Sequence, residues 1–176
     1  LVFNDKIGYI RRDQLERNSD WVDRWKVLIP MAGDGHGRVP AFVLGEPIAL
    51  APGSACTQSY MVAGTFGSRL ETENYARFLT TKFARFLVLQ RKISQHLTPD
   101  RFAFVPWLDF TRRWLDEELY KQFNLGEDEV AYIERVIAPR DLTLSLDSSV
   151  PETHLPGGRK FKTGEVPADE DSEVDE

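Results

Sequence analysis

One cysteine, Cys56, stands in a chain of 176 residues, which excludes an intrachain disulfide and leaves a cysteine-based zinc site without partners. The histidines His36, His96 and His154 are too far apart in sequence for the close spacing that puts two metal ligands on one helix face. No apolar run approaches the ~20 residues needed to cross a bilayer, and no basic-then-apolar secretory pattern opens the chain. The Gly-Lys-Ser/Thr ending of a phosphate-binding P-loop is missing. So are an Asn-Pro-Pro-Tyr or Asp-Pro-Pro-Tyr segment and a Gly-rich strand-to-helix cofactor loop. The expectation is a soluble chain from a reducing, cytoplasmic compartment, with no membrane partner and with no catalytic group, metal or cofactor held by these residues. The chain opens Leu1-Val2-Phe3 without an initiator methionine, so we expect it to be a piece of a longer protein.

What is present is unevenly distributed. The formal net charge is −6, yet Glu165, Asp169, Glu170, Asp171, Glu173, Asp175 and Glu176 alone carry seven negative charges with no base among them, and the rest of the chain is at +1. Residues 1–95 hold thirteen Lys and Arg against nine Asp and Glu, a local excess of +4. An acidic total therefore hides a basic N-terminal half, the kind of field a polyanion meets. With 41% hydrophobic residues the chain can build one core, expected over residues 1–138. Residues 139–176, rich in Gly, Pro and acid from Pro151 onward, read as an extended or disordered acidic tail.

Short segments rich in Ile, Val, Leu and Tyr at Gly8–Ile10, Lys26–Ile29, Pro47–Leu50 and Thr57–Ala63 are separated by Gly and Pro and read as strands. Between the first two, Asp13 and Ser19 are expected to cap short helices. Ser68 with Glu71 three residues on forms a capping-box pattern that opens a long helix, about Leu70 to Ile93. At about 100° per residue, Tyr75, Phe78, Leu79, Phe83, Phe86, Leu87, Leu89 and Ile93 share one broad face. Arg77, Thr81, Arg85 and Lys92 gather opposite, with Arg91 alongside and Lys82 near the apolar margin. Phe102–Pro106 reads as a short extended run. Two further helices, Leu115–Phe123 and Glu127–Ile137, form a hairpin joined at Leu125-Gly126. Asp116, Glu117 and Glu118 suit the positive end of the first helix's dipole. The sum is an α+β fold: a small, mostly antiparallel sheet packed on a long amphipathic helix, followed by a C-terminal helical hairpin.

For chemistry the residues offer little. Cys56 follows a Pro-Gly-Ser turn with no evident histidine partner and reads as a packed small hydrophobe. The loop Gly33-Asp34-Gly35-His36-Gly37 reads as a flexible turn, with a DNA-backbone contact assisted by Arg38 as the functional option. The basic helix face is more specific: solvation alone tolerates both signs, but after Glu73 acids vanish while Arg77, Lys82, Arg85, Arg91 and Lys92 accumulate.

The blocks Ser59-Tyr60-Met61-Val62, Phe78-Leu79-Thr80-Thr81-Lys82-Phe83-Ala84-Arg85-Phe86-Leu87, Phe104-Val105-Pro106, Asp109-Phe110 and Trp114-Leu115-Asp116-Glu117-Glu118-Leu119-Tyr120-Lys121 occur in this order. Together, from about Gly8 to Ile137, they resemble the C-terminal region of bacterial type II restriction-modification methylases, related to the TaqI-like specificity domain. The resemblance implies a target-recognition domain that binds double-stranded DNA and is non-catalytic by itself. A separate N-terminal part would bind S-adenosylmethionine and methylate adenine; whether such a parent also cleaves DNA is left open. It also implies that Lys82-Phe83 and Arg85-Phe86 serve mainly structure. Arg113, where the family has proline, and Gly126, where it has a Ser or Thr cap, depart from the pattern.

Base-reading residues are not carried over by such a resemblance. Side-chain chemistry supplies them instead: Arg suits guanine edges, Gln adenine, and Lys or Arg phosphate. The DNA-binding candidates are Arg38, Arg77, Arg85, Arg91, Lys92 and Gln95. The alternative is a protein-interaction module whose aromatic surface around Trp107, Phe110 and Trp114 docks on the methylase catalytic domain or a partner subunit.

Overall fold

Trp25–Pro30 forms the middle strand of the principal sheet and carries its core on both faces. A computed structural model describes residues 1–3, 6–32, 39–91 and 96–140. They lie within the compact unit Leu1–Leu146, and almost all of the expected acidic tail falls outside them. The strands are β1 (Val2–Phe3), β2 (Lys6–Ile7), β3 (Trp25–Pro30), β4 (Ile48–Leu50) and β5 (Tyr60–Phe66). The α-helices are α1 (Arg69–Thr80), α2 (Lys82–Arg91), α3 (Asp116–Gln122) and α4 (Glu127–Val136).

The fold is α+β. A three-stranded antiparallel sheet runs in the order β4-β3-β5, and β1 and β2 make a separate antiparallel pair. Val27 and Ile29 face the main core beneath α1, while Leu28 faces a smaller cluster with Val2 and Tyr60, so four consecutive residues of β3 are buried. Between Val27↔Gly64 and Leu28↔Val62 the register slips by one residue of β5, a bulge at Ala63. Tyr75 of α1 reaches this bulge and donates its hydroxyl to the Ala63 carbonyl at 3.2 Å. A Cβ at Gly64 would come within 3.1 Å of both the Phe66 and Tyr75 rings, so glycine here admits the helix to the sheet.

Three expected elements differ. Gly8–Ile10 is not a strand; the pairing falls on Lys6–Ile7 instead. The segment 12–23 holds two 3₁₀ turns, Arg12–Gln14 and Ser19–Asp23, with Asp13 and Ser19 inside them rather than capping them. Phe102–Pro106 is not extended: Pro99–Phe102 forms a 3₁₀ turn and a further turn follows.

The expected long helix is two helices. Ser68 caps α1 as its sequence indicates, accepting from the Glu71 N–H at 3.2 Å, but Thr81 has φ −60° and ψ 150° and ends the helix. Its hydroxyl donates to the Phe78 carbonyl at 2.6 Å and accepts from the Ala84 N–H at 3.2 Å, closing one helix and opening the next. Asp116, the first residue of α3, supplies the rest of the N-terminal cap of α2: its carboxylate accepts from the Lys82 N–H at 3.0 Å and the Phe83 N–H at 2.8 Å. Charge and dipole agree in sign. The hairpin is held to α2 a second time by Glu134, which takes the Lys82 ammonium on one oxygen and the Tyr120 hydroxyl, at 2.8 Å, on the other. Where Gly126 lacks a capping side chain, Glu129 reaches back to its N–H at 2.8 Å and secures the start of α4.

Burial raises the Asp116 carboxyl above its ordinary range against the pull of its two N–H donors, so the ionised cap carries a desolvation cost that offsets part of its gain. Asp116→Ala is accordingly expected to lower unfolding free energy by about 1 kcal/mol, and Glu117→Ala, an exposed neighbour in the same turn, by under about 0.5 kcal/mol. Paired urea titrations measure the difference.

Candidate nucleic-acid interface

The basic face drawn on one continuous helix requires α1 and α2 to share a phase, and the extended residue Thr81 breaks it. Arg77, on the last turn of α1, stays partly exposed, as does Arg91 at the end of α2. The Arg91 guanidinium lies 5.2 Å from the exposed ring of Phe104, which limits its range while leaving its charge available. Arg38, Lys92 and Gln95 lie outside the described residues. Lys82 is bound to Glu134.

Arg85 is the correction. Expected beside Arg77 on the outer face, it is 1% exposed and is among the largest fully buried side chains in the described structure. Its Nε donates to the Thr80 and Thr81 carbonyls at 3.0 and 3.2 Å. One terminal nitrogen reaches the Ala138 carbonyl at 2.7 Å and the other the Phe42 carbonyl at 3.4 Å. Four backbone oxygens from three segments thus share one cation, two of them at the negative end of the α1 dipole. Burial, with the nearby Arg140 charge adding to it, lowers the Arg85 pKa to about 10, which leaves it charged at neutral pH. No part of it is left for a phosphate.

The aromatic surface of the alternative reading is also rearranged. Phe110 and Trp114 are buried, Trp114 with its indole N–H on the Asp109 carbonyl at 2.9 Å, and only Trp107 is exposed. Trp107 lies almost parallel to Phe66, with centroids 5.5 Å apart, as the outer member of a cluster with Tyr75, Phe78 and Phe110. Asn74 fixes this cluster by donating to the Phe110 carbonyl at 2.9 Å.

Two titratable groups sit on the other face of the sheet. Lys26, 2% exposed, donates to the Ser54 hydroxyl and carbonyl at 3.0 and 3.1 Å, and burial lowers its pKa to about 8. Burial pushes the neighbouring Cys56 thiol up, more strongly than Lys26 draws it down, which is the opposite of an activated nucleophile. Neither role was visible in the sequence. Lys26 inside the run Trp25–Pro30 was the available signal, since a lysine on a strand buried on both faces has to find acceptors. Among the described residues no three His, Cys, Asp or Glu side chains assemble as a metal-holding group.

No family model, curated protein or solved structure matches this chain.

Two outcomes follow from this geometry. Arg85→Ala removes the donor from four carbonyls and is expected to cost roughly 2–4 kcal/mol of stability, against under about 0.5 kcal/mol for Arg77→Ala, by chemical denaturation. Lys26 titrates at about 8 when folded and at about 10.5 when unfolded, so across that interval the unfolded chain binds more protons and stability gains with rising pH. In Lys26→Met that gain should be missing when the two proteins' unfolding free energies are compared at pH 7.5 and pH 10.

Proposed function

We propose that the chain is the DNA-binding target-recognition domain of a bacterial restriction-modification adenine-specific DNA methyltransferase, with no chemistry of its own. The observation that carries this reading is that two blocks of the resemblance, far apart in sequence, act as one device. Lys82 and Phe83 of the first donate their N–H groups to Asp116 of the second, and Lys82 and Tyr120 meet on the two carboxylate oxygens of Glu134. Residues that depend on each other physically are the ones a resemblance keeps together, and these support the α1–α2–α3 scaffold rather than base recognition. Recognition then belongs to side chains this scaffold leaves partly exposed, Arg77 and Arg91, while Arg38, Lys92 and Gln95 are assigned to it on side-chain chemistry alone. Residues 1–95 carry thirteen Lys and Arg against nine Asp and Glu, a basic excess suited to a polyanionic partner.

On this reading S-adenosylmethionine is held by a catalytic part outside these residues, in a cytoplasmic protein.

The test is a salt titration of DNA binding by the chain and by Arg77→Ala, Arg91→Ala and Lys92→Ala variants, on random duplexes and on the parent's target once methylation mapping has defined it. Removing a side chain that binds phosphate flattens the log–log salt dependence by about one unit on both duplexes. A base-reading residue instead costs about 1–3 kcal/mol on the target alone. An unchanged slope and affinity in the triple variant would rule out this face as the DNA contact.

A further inference from the structure

Residues of α2 and α4, with Leu125 between the helices of the hairpin, line a cavity of about 300 Å³. Phe83 and Phe86 form one wall, Leu125 and Tyr132 the other, and Asp128 and Glu129 stand on the rim. The walls are ordered by ring contacts: Phe86 meets Tyr132 edge-on at 6.0 Å, and Phe83 stacks on Phe123 at 4.9 Å. Tyr132 and Phe123 are 49% and 40% exposed, a large aromatic area for the outside of a hairpin.

The charge around this groove selects its occupant. Its lining holds two acids and no base. Glu129 spends one carboxylate oxygen on the Gly126 N–H, whereas Asp128 engages no described side chain or backbone group. Residues 115–137, which form the hairpin, contain seven Asp and Glu against Lys121 and Arg135. Arg135 lies over the Tyr132 ring at 5.3 Å, outside the lining, and Lys82 is neutralised by Glu134. Such a surface repels a nucleic acid, so it is not a second DNA contact. It is complementary to a protein segment that inserts one bulky apolar side chain between the α2 and α4 walls and places Lys or Arg against Asp128.

We propose that the α2–α4 groove is a docking site for a basic segment of a protein partner anchored by a single large apolar residue. The proposal stands independently of DNA binding: none of the DNA-contact candidates lines the groove, and its charge is of the opposite sign. It also moves the protein contact from the Trp107 region, where Phe110 and Trp114 are buried, to the hairpin.

The experiment uses the full chain and two short amidated peptides that share a central Trp, one flanked by Lys and Arg and the other by Glu. Binding is read by anisotropy and by amide shift changes. The basic peptide is expected to bind with shifts centred on Phe86, Glu129 and Tyr132, and the acidic one not to bind. Tyr132→Ala and Asp128→Lys, both exposed positions whose folding is checked by circular dichroism, should each weaken binding by roughly tenfold. Equal binding of both peptides, shifts centred away from the groove, or unchanged affinity in both variants would overturn the proposal. So would sedimentation of the chain as a dimer in which the groove is protected, because the occupant would then be a second copy.

Discussion

The Arg85 guanidinium, buried where α1 ends and α2 begins, is the constraint on which the surrounding arrangement rests. A cation removed from water is costly unless its donors are satisfied, and here the nearest acceptors are not carboxylates but four backbone oxygens. That choice has structural force. A carboxylate partner would have neutralised the charge within one pair of side chains, whereas carbonyls oblige three separate stretches of backbone to converge. One of these stretches is strained: Val43, 1% exposed, has φ 68°, a conformation that costs a β-branched residue on the order of 1–3 kcal/mol. The contacts of Phe42 with Arg85, of Ala41 with Val136 and Ala138, and the burial of Val43 itself hold it there.

Around this point the helices divide their loyalties. Helix α1 belongs to the sheet, through Tyr75 on the bulge and the aromatic cluster that ends in Trp107. Helix α2 belongs to the hairpin, through Asp116 at its N-terminus and Glu134 along its side. The helix end at Ser68 is satisfied locally, but at this junction the local Thr81 cap is completed by Asp116, 34 and 33 residues from the two N–H groups it accepts, which ties α2 to the hairpin.

Elements with their own periodicity or cap were legible in sequence. The three principal strands, α3, α4 and the start of α1 are local signals, such as Ser68 with Glu71 at the start of α1 and the apolar run Val27-Leu28-Ile29 in the middle strand. The break at Thr81 was not, because its cause is tertiary: no propensity in Thr80-Thr81-Lys82 forbids a helix, and Asp116 and Arg85 make the interruption favourable from outside the segment. A phase error followed, and it moved Arg85 from the core to the surface. Trp114 and Phe110 were misplaced for a related reason, since an irregular segment has no period from which to infer a buried side.

The carbonyl of Ala138 has one further consequence, for the order in which the polypeptide becomes able to fold. Arg85 emerges from a ribosome long before Ala138 does, and until then its closest acceptor does not exist. During the first part of that interval α2 lacks the Asp116 cap as well. A nascent chain ending short of this residue can assemble β3, β4 and β5 but cannot bury the guanidinium without leaving donors unpaired. The sheet is therefore free to form early, while the helical half is obliged to wait for the end of its own synthesis.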